Sequence, residues 1–281
     1  MARRSRLAIL FFLVPIALNA CSTVSFFTPP YEHARRLAAR AKFVPLLLKT
    51  NVFELRGFVT QGNAPNGQMS VYIEGDGKPW PSSTTPPRNP SPLDPVGLRL
   101  AIASSSTPVA YLARPCHFLE VKATEACGLK YWTHARFAPE VVESVSIAID
   151  RIKARVAAKQ IRLVGFSGGG VLAALVSARR SDVFSLVTVA APLDLDAWTS
   201  HHNATPMHGS LRPTDNLQSL RQISQIHFSG SDDRIVPLSV LRSYLAKLGS
   251  SLDVRVVEIP NFNHQCCWAD QWASILEEYV P

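Results

Sequence analysis

The sequence has no basic stripe interleaved with aromatic residues and no zinc-finger spacing, so nothing in it asks for a nucleic acid. It has no internal repeat and no low-complexity tract, which excludes solenoid and linker-like architectures. Charge is scarce: 18% of the 281 residues are charged, whereas 47% are apolar. That composition can build one large core, as expected of a single α/β domain of this length. The basic excess is smaller than the formal +8 indicates. Arg3, Arg4 and Arg6 lie in a segment expected to be removed; of 29 basic residues 26 then remain against 21 acidic ones, or +5. Arg35, Arg36 and Arg40 form the one notable basic cluster.

The N-terminus reads as an export signal. After the three arginines comes an apolar run, residues 7–20, too short to span a bilayer and broken by Pro15. It ends in Leu18-Asn19-Ala20-Cys21, which resembles the lipobox of bacterial lipoproteins. The resemblance implies a signal peptide over 1–20, cut before Cys21, whose sulfur carries the lipid. Asn19 departs from the small or apolar residue usual there, and an ordinary cleaved signal peptide is the alternative. Ser22 in place of an aspartate implies the outer membrane, with the domain facing the periplasm. Two or three acyl chains on Cys21 make a stable membrane anchor.

Four cysteines remain, a disulfide-compatible number in an exported protein. Cys116 and Cys127 flank a short loop and are expected to pair. The adjacent Cys266 and Cys267 either form a vicinal disulfide or stay reduced and packed. No histidine or cysteine lies at a spacing that completes a zinc site with them, so no metal is expected.

Residues 22–50 read as a connector, with an amphipathic helix over 32–49, ahead of a domain over 51–281. Segments 52–60 and 68–74 read as an antiparallel hairpin around the Asn66-Gly67 turn. Helix and strand signals then alternate: a helix over 98–104, a strand over 108–113 and a helix over 140–159. After the strand and helix around Ser167 come strands at 184–191, 225–229 and 253–259. Helices are expected at 236–248 and 269–279. Val141, Val145, Ala148, Ile149, Ile152 and Val156 mark one face of the 140–159 helix. The alternation argues for an α/β fold: a mostly parallel sheet, helices on both faces, opened by an antiparallel hairpin. Two segments interrupt it. The 78–95 loop holds seven of the 21 prolines, and 193–216 carries Trp198, His201, His202 and His208. Both begin at the C-terminal ends of expected strands, where parallel sheets bind ligands, and are candidate pocket walls or a small lid. Trp80 and Trp198 are candidates to line an apolar pocket, or simply pin their loops.

The chemistry centres on Ser167. An apolar strand runs into Gly165-Phe166-Ser167-Gly168-Gly169, and an apolar helix follows. This is a strand, a tight turn and a helix with one hydroxyl at the apex. A serine hydroxyl needs a base to take its proton and a third group to orient that base. The segment from Gly230 to Pro237 offers Asp232 and Asp233 after a strand. The segment from Ile259 to His264 places a histidine after the last strand. The order Ser, Asp, His falls one or two βα units apart, at one sheet edge.

These three pieces resemble the α/β-hydrolase family over roughly residues 50–281. In that family's acid loop the functional aspartate lies three after the glycine, which selects Asp233 and leaves Asp232 as a turn residue. Asp194 is the substitute acid. The resemblance implies Ser167 as nucleophile, His264 as base and Asp233 as orienting acid. It also implies an oxyanion hole from the Gly168 N–H and one from the loop after an early strand. In that loop, from Tyr72 to Gly77, the second donor is assigned to Asp76, with Gly75 next. Glu74 and Asp76 as an acid/base carboxylate pair is the rival reading. The expected activity needs no cofactor: a serine hydrolase cutting an ester or related acyl bond of a small molecule or lipid, foremost a carboxylesterase. A lipase, thioesterase or peptidase of the same fold is the near alternative. A non-catalytic envelope lipoprotein that binds through a hydrolase scaffold is the distant one.

Overall fold

The computed structural model describes residues 28–78, 82, 85–104, 108–119, 126–250 and 253–280. The expected signal peptide, Cys21 and Trp80 lie outside these. In chain order the elements are α1 (Pro30–Arg40), β1 (Val44–Lys49), β2 (Glu54–Val59), β3 (Gln68–Ile73), α2 (Val96–Ala103) and β4 (Val109–Leu112). Then come α3 (Pro139–Val156), β5 (Gln160–Phe166), α4 (Gly168–Ser177), β6 (Val183–Val189) and α5 (Leu195–His201). The chain closes with α6 (Leu217–Leu220), β7 (Ser224–Gly230), α7 (Leu238–Leu248), β8 (Val254–Ile259) and α8 (Trp268–Tyr279).

The eight strands form one sheet in the order β1-β2-β4-β3-β5-β6-β7-β8. The pairs β1–β2 and β2–β4 are antiparallel, and all the others are parallel. One face is buried by α3, α4 and α7, which pack Ile149, Ile152, Leu172 and Tyr244 against it. The other is buried by α1, α2 and α8, with Leu98, Leu100 and Trp272 at its centre. Trp272 is fully buried and donates its indole N–H to Tyr72 Oη at 3.1 Å, so its one polar atom is satisfied.

The opening of the sheet differs from expectation in two ways. The helix expected over 32–49 ends at Arg40. Lys42 takes φ 62°, and Pro45 would break a helix interior. Beyond it Leu46 and Leu48 are buried while Leu47 and Lys49 are exposed, the period-two pattern of a strand. The sheet therefore begins at Val44, inside the segment taken as a connector. The antiparallel hairpin is β1–β2, with Leu48 opposite Leu55, and not residues 52–60 with 68–74. The Asn66-Gly67 loop does not fold back on β2. The Ala64 N–H donates to Val156 O, and Gly67 O accepts from the N–H groups of Lys159 and Gln160. Those bonds dock the loop at the junction of α3 and β5, so β3 is laid beside β5.

Cys116 and Cys127 are bonded, their Cα atoms 5.6 Å apart, and so are Cys266 and Cys267. Among the described residues no helix is long and apolar enough to cross a membrane, and no three His, Cys, Asp or Glu side chains converge as metal ligands.

His227 sits fully buried on β7, with Thr188 Oγ1 2.8 Å from Nδ1 and Gln225 Oε1 3.1 Å from Nε2. Burial disfavours its charged form and brings its pKa down to about 3. The unfolded chain titrates near 6.5, so between these values it binds the extra proton and the folded state loses ground as pH falls. Glu74, buried at the end of β3, works the other way, because burial raises its pKa to about 7. The histidine's share is therefore read as a difference. The cost of His227→Gln is expected to be about 2 kcal/mol larger at pH 7 than at pH 5, by urea unfolding at the two pH values. Equal costs would mean that His227 does not titrate between them.

Candidate active site

The turn at Ser167 is built by close backbone approach. β5 ends at Phe166 and α4 begins at Gly168, leaving Ser167 alone between them at φ 51° and ψ −124°. That is a sparsely populated region for a residue with a Cβ, held here by neighbours on both sides. The Ser167 N–H donates to Val189 O at 2.8 Å on β6, and Ser167 O accepts the Gly170 N–H at 2.9 Å. Gly165 makes the crossing possible: a Cβ there would run into the backbone of Gly169 and Gly170. Ser167 is 9% exposed, so its hydroxyl faces a cavity rather than bulk solvent.

Two loops from the same sheet edge meet it. His264 Nε2 lies 3.0 Å from Ser167 Oγ, and Nδ1 lies 2.8 Å from Asp233 Oδ2. Asp233 is 3% exposed, and its Oδ1 accepts the N–H groups of Ile235 and Val236, each at 2.8 Å. A carboxylate so placed holds a proton on Nδ1, leaving Nε2 to accept from the serine hydroxyl. The histidine is held by its own turn. Asn263 Oδ1 accepts from the N–H groups of Gln265 and Cys266, and Trp268 donates its indole N–H to Asn263 O. The Phe166 ring lies 5.4 Å from the imidazole.

The other candidates fall elsewhere. Asp232 is exposed and accepts from Ser231 Oγ at 3.0 Å. Asp194 is fully buried as the N-cap of α5, paired with Lys247 Nζ at 2.7 Å and Ser243 Oγ at 2.6 Å. Trp198 and His202 both reach Ile235 O, at 2.8 and 2.7 Å, tying α5 to the acid loop.

The loop after β3 lies over the start of α4. Glu74 is not half of an acid/base pair. It is 1% exposed, and its carboxyl accepts the N–H groups of Gly75 and Gly97 and the Tyr111 hydroxyl. It therefore anchors the loop to the start of α2. The Gly75 N–H is occupied by this bond at 2.9 Å, which removes it as an oxyanion donor. The N–H groups of Asp76 and Gly168 are not occupied by any hydrogen bond among the described residues. Both oxygens of Asp76 are taken, Oδ1 by Arg114 Nη1 and Oδ2 by Arg136 Nη1, the latter at 2.7 Å. Burial pulls the Arg114 pKa down to about 9, with Arg136 beside it adding to the effect, and burial alone brings Arg136 to about 10. Sequence reading missed both arginines, which stand singly in their segments. The one weak signal is that Arg114 follows directly on the expected strand 108–113; Arg136, in the turn before α3, has none.

A cavity of 330 Å³ opens over Ser167 and His264. Pro87, Pro90 and Pro92 of the proline-rich loop form one wall, Trp132 and Arg136 a second, and Trp198, Ile235 and Val236 a third. Of the 193–216 segment only Trp198 reaches it among the described residues, because α5 turns the rest of that segment away. The arrangement can take a proton from a serine hydroxyl, with Asp76 lining the same cavity and Gly168 directly following the serine.

No protein-family model matches this chain, and no curated protein matches it. Solved structures do. An α/β serine hydrolase homologue from Coxiella burnetii superposes with a TM-score of 0.55 at 17% identity, over 84% of this chain and 95% of that one. XC6422 from Xanthomonas campestris, described as an α/β serine hydrolase without a lid, gives 0.53 at 14% identity, over 85% and 96%. Est1E from Butyrivibrio proteoclasticus gives 0.58 at 11% identity, over 84% and 97%. The chain has the α/β-hydrolase fold.

Proposed function

We propose that this α/β-hydrolase-fold chain is a serine hydrolase that cleaves a carboxylic ester through an acyl-enzyme. The observation that carries the reading is the run of contacts from Asp233 to His264 to Ser167, at 2.8 and 3.0 Å, with His264 and Ser167 lining one cavity. Ser167 Oγ attacks the acyl carbon as His264 Nε2 takes its proton. Asp233 holds the imidazole in the required tautomer and stabilises the cation that forms. The negative charge that develops on the carbonyl oxygen is met by the N–H groups of Gly168 and Asp76. His264 then returns the proton to the leaving alkoxide. Water, deprotonated by the same nitrogen, releases the acid and restores the serine. A cavity walled by prolines and tryptophans, with Lys78, Asp94 and Arg136 also in its lining, has apolar surface for an acyl or alkyl group.

The test is covalent labelling with a fluorophosphonate. The wild-type domain is expected to take up one equivalent at Ser167, located by peptide mass spectrometry, and Ser167→Ala none. A wild-type protein that resists the probe would support a binding scaffold instead of an enzyme.

A further inference from the structure

The loop that carries the Asp76 N–H is tied at its start by the Glu74 hydrogen bonds. Beyond Gly75 its side-chain hold is charge. Asp76 is one third exposed, yet it is gripped by two guanidinium groups whose side chains are only 4% and 12% exposed, Arg114 and Arg136. Each arginine is fixed in turn. Arg114 Nη2 donates to Arg136 O at 2.7 Å, and its guanidinium lies 5.0 Å from the Phe137 ring centre. Arg136 Nε donates to Thr133 O at 2.7 Å. The three residues come from separate places: the end of β3, the end of β4 and the 133–137 turn. The Cys116–Cys127 bond joins the two segments that supply the arginines.

This cluster bears on Gly168. A Cβ at Gly168 would run into the Asp76 carboxylate and into Arg114 Nη1. The carboxylate therefore sits against the Cα of the residue whose N–H is one of the two donors, while the backbone of Asp76 carries the other. Two guanidinium groups share the Asp76 carboxylate there, with Glu74 a second acid acting on Arg114. Burying charged groups in this way is costly. A loop that needed only to be stable would do better with an apolar contact.

We propose that Arg114 and Arg136 are positioning residues that clamp Asp76 against Gly168, fixing the spacing of the two N–H groups that receive the oxyanion. This rests on the serine-hydrolase reading above. The clamp acts through Asp76, so its contribution belongs to the transition state and not to ground-state binding. Arg136 also lines the cavity, whereas Arg114 does not, so Arg114 reads the clamp most directly.

The experiment measures p-nitrophenyl acetate turnover per fluorophosphonate-titrated site, so that unfolded molecules are not counted. It also measures the inhibition constant of benzeneboronic acid, which becomes tetrahedral on the serine. Arg136→Gln is expected to lower kcat about 10- to 100-fold, since loss of a whole donor costs about 10²–10³. KM should stay within about two-fold, with the boronate constant rising by the same factor as kcat falls. Arg136→Lys should recover part of the loss. Arg114→Lys should fall between wild type and Arg136→Gln. The Asp76→Asn/Arg136→Gln double variant should be no worse than Asp76→Asn alone, because both changes break one clamp. Unchanged kcat per titrated site, losses that multiply in the double variant, or a rise in KM alone would each overturn the clamp. A wild type with no turnover and no titratable site would instead overturn the hydrolase reading itself.

Discussion

Ser167→Ala is expected to lower kcat/KM for p-nitrophenyl esters by about 10⁴-fold or more while leaving the fold intact. The chemical argument is that, among the described residues, no other hydroxyl in the cavity stands 3.0 Å from an imidazole nitrogen backed by a carboxylate. The structural argument is that alanine keeps the Cβ already tolerated at φ 51° and deletes only an oxygen that faces the cavity. The lost hydrogen bond to His264 is worth about 1 kcal/mol. Melting temperature and the affinity for a non-reactive ester analogue should therefore barely move. Residual activity above about 1% of wild type, with sites verified as alanine, would place the nucleophile on another residue.

The second large effect is expected at Asp233. Asp233→Asn should cost about 10³- to 10⁴-fold in kcat, with little change in stability. Asp233 uses both oxygens, Oδ1 on the backbone of Ile235 and Val236 and Oδ2 on His264 Nδ1. An asparagine would keep its carbonyl on the two backbone N–H groups and turn its amide NH₂ toward the imidazole. Nδ1 then accepts instead of donating, the proton moves to Nε2, and the nitrogen facing Ser167 Oγ can no longer take a proton. Asp232→Asn, at an exposed side chain bonded only to Ser231, should leave kcat unchanged. Asp194→Asn keeps an N-cap oxygen for the Ala197 N–H but gives up the buried charge paired with Lys247, so it should lower stability without touching turnover. Steady-state kinetics and urea unfolding on the three variants separate these outcomes. Equal losses at Asp232 and Asp233 would deny Asp233 its special position.

The central and C-terminal parts of the fold were legible because α3 carries one helical stripe, while β5, β6 and β7 are short segments, buried almost throughout, between helix and turn signals. The opening was not. The Leu46-Leu47-Leu48 run fits a helical stripe or a strand until Pro45 is weighed, and a turn-rich loop between two strands does not disclose which neighbours those strands take. The loop's bonds to Val156, Lys159 and Gln160 decide that, and they lie some 90 residues away in the chain. Ser167, Asp233 and His264 were legible because each follows a strand in a glycine- or asparagine-bearing turn and their order fits a parallel sheet. Arg114 and Arg136 were not. Their ion pairs to Asp76 span 38 and 60 residues and leave no local pattern.

The contact between Ser167 and His264 spans 97 residues and crosses the paired strands β6, β7 and β8. Contacts so distant in sequence form late, because the chain must lose its freedom before they reward it. A folding molecule thus carries an inert alcohol at the end of β5 until β8 settles beside β7 and brings its histidine across. On the proposed mechanism, reactivity is then a clock for the last stage of folding, and a chain still crowded among unfolded neighbours would have no means of acylating itself on the esters around it.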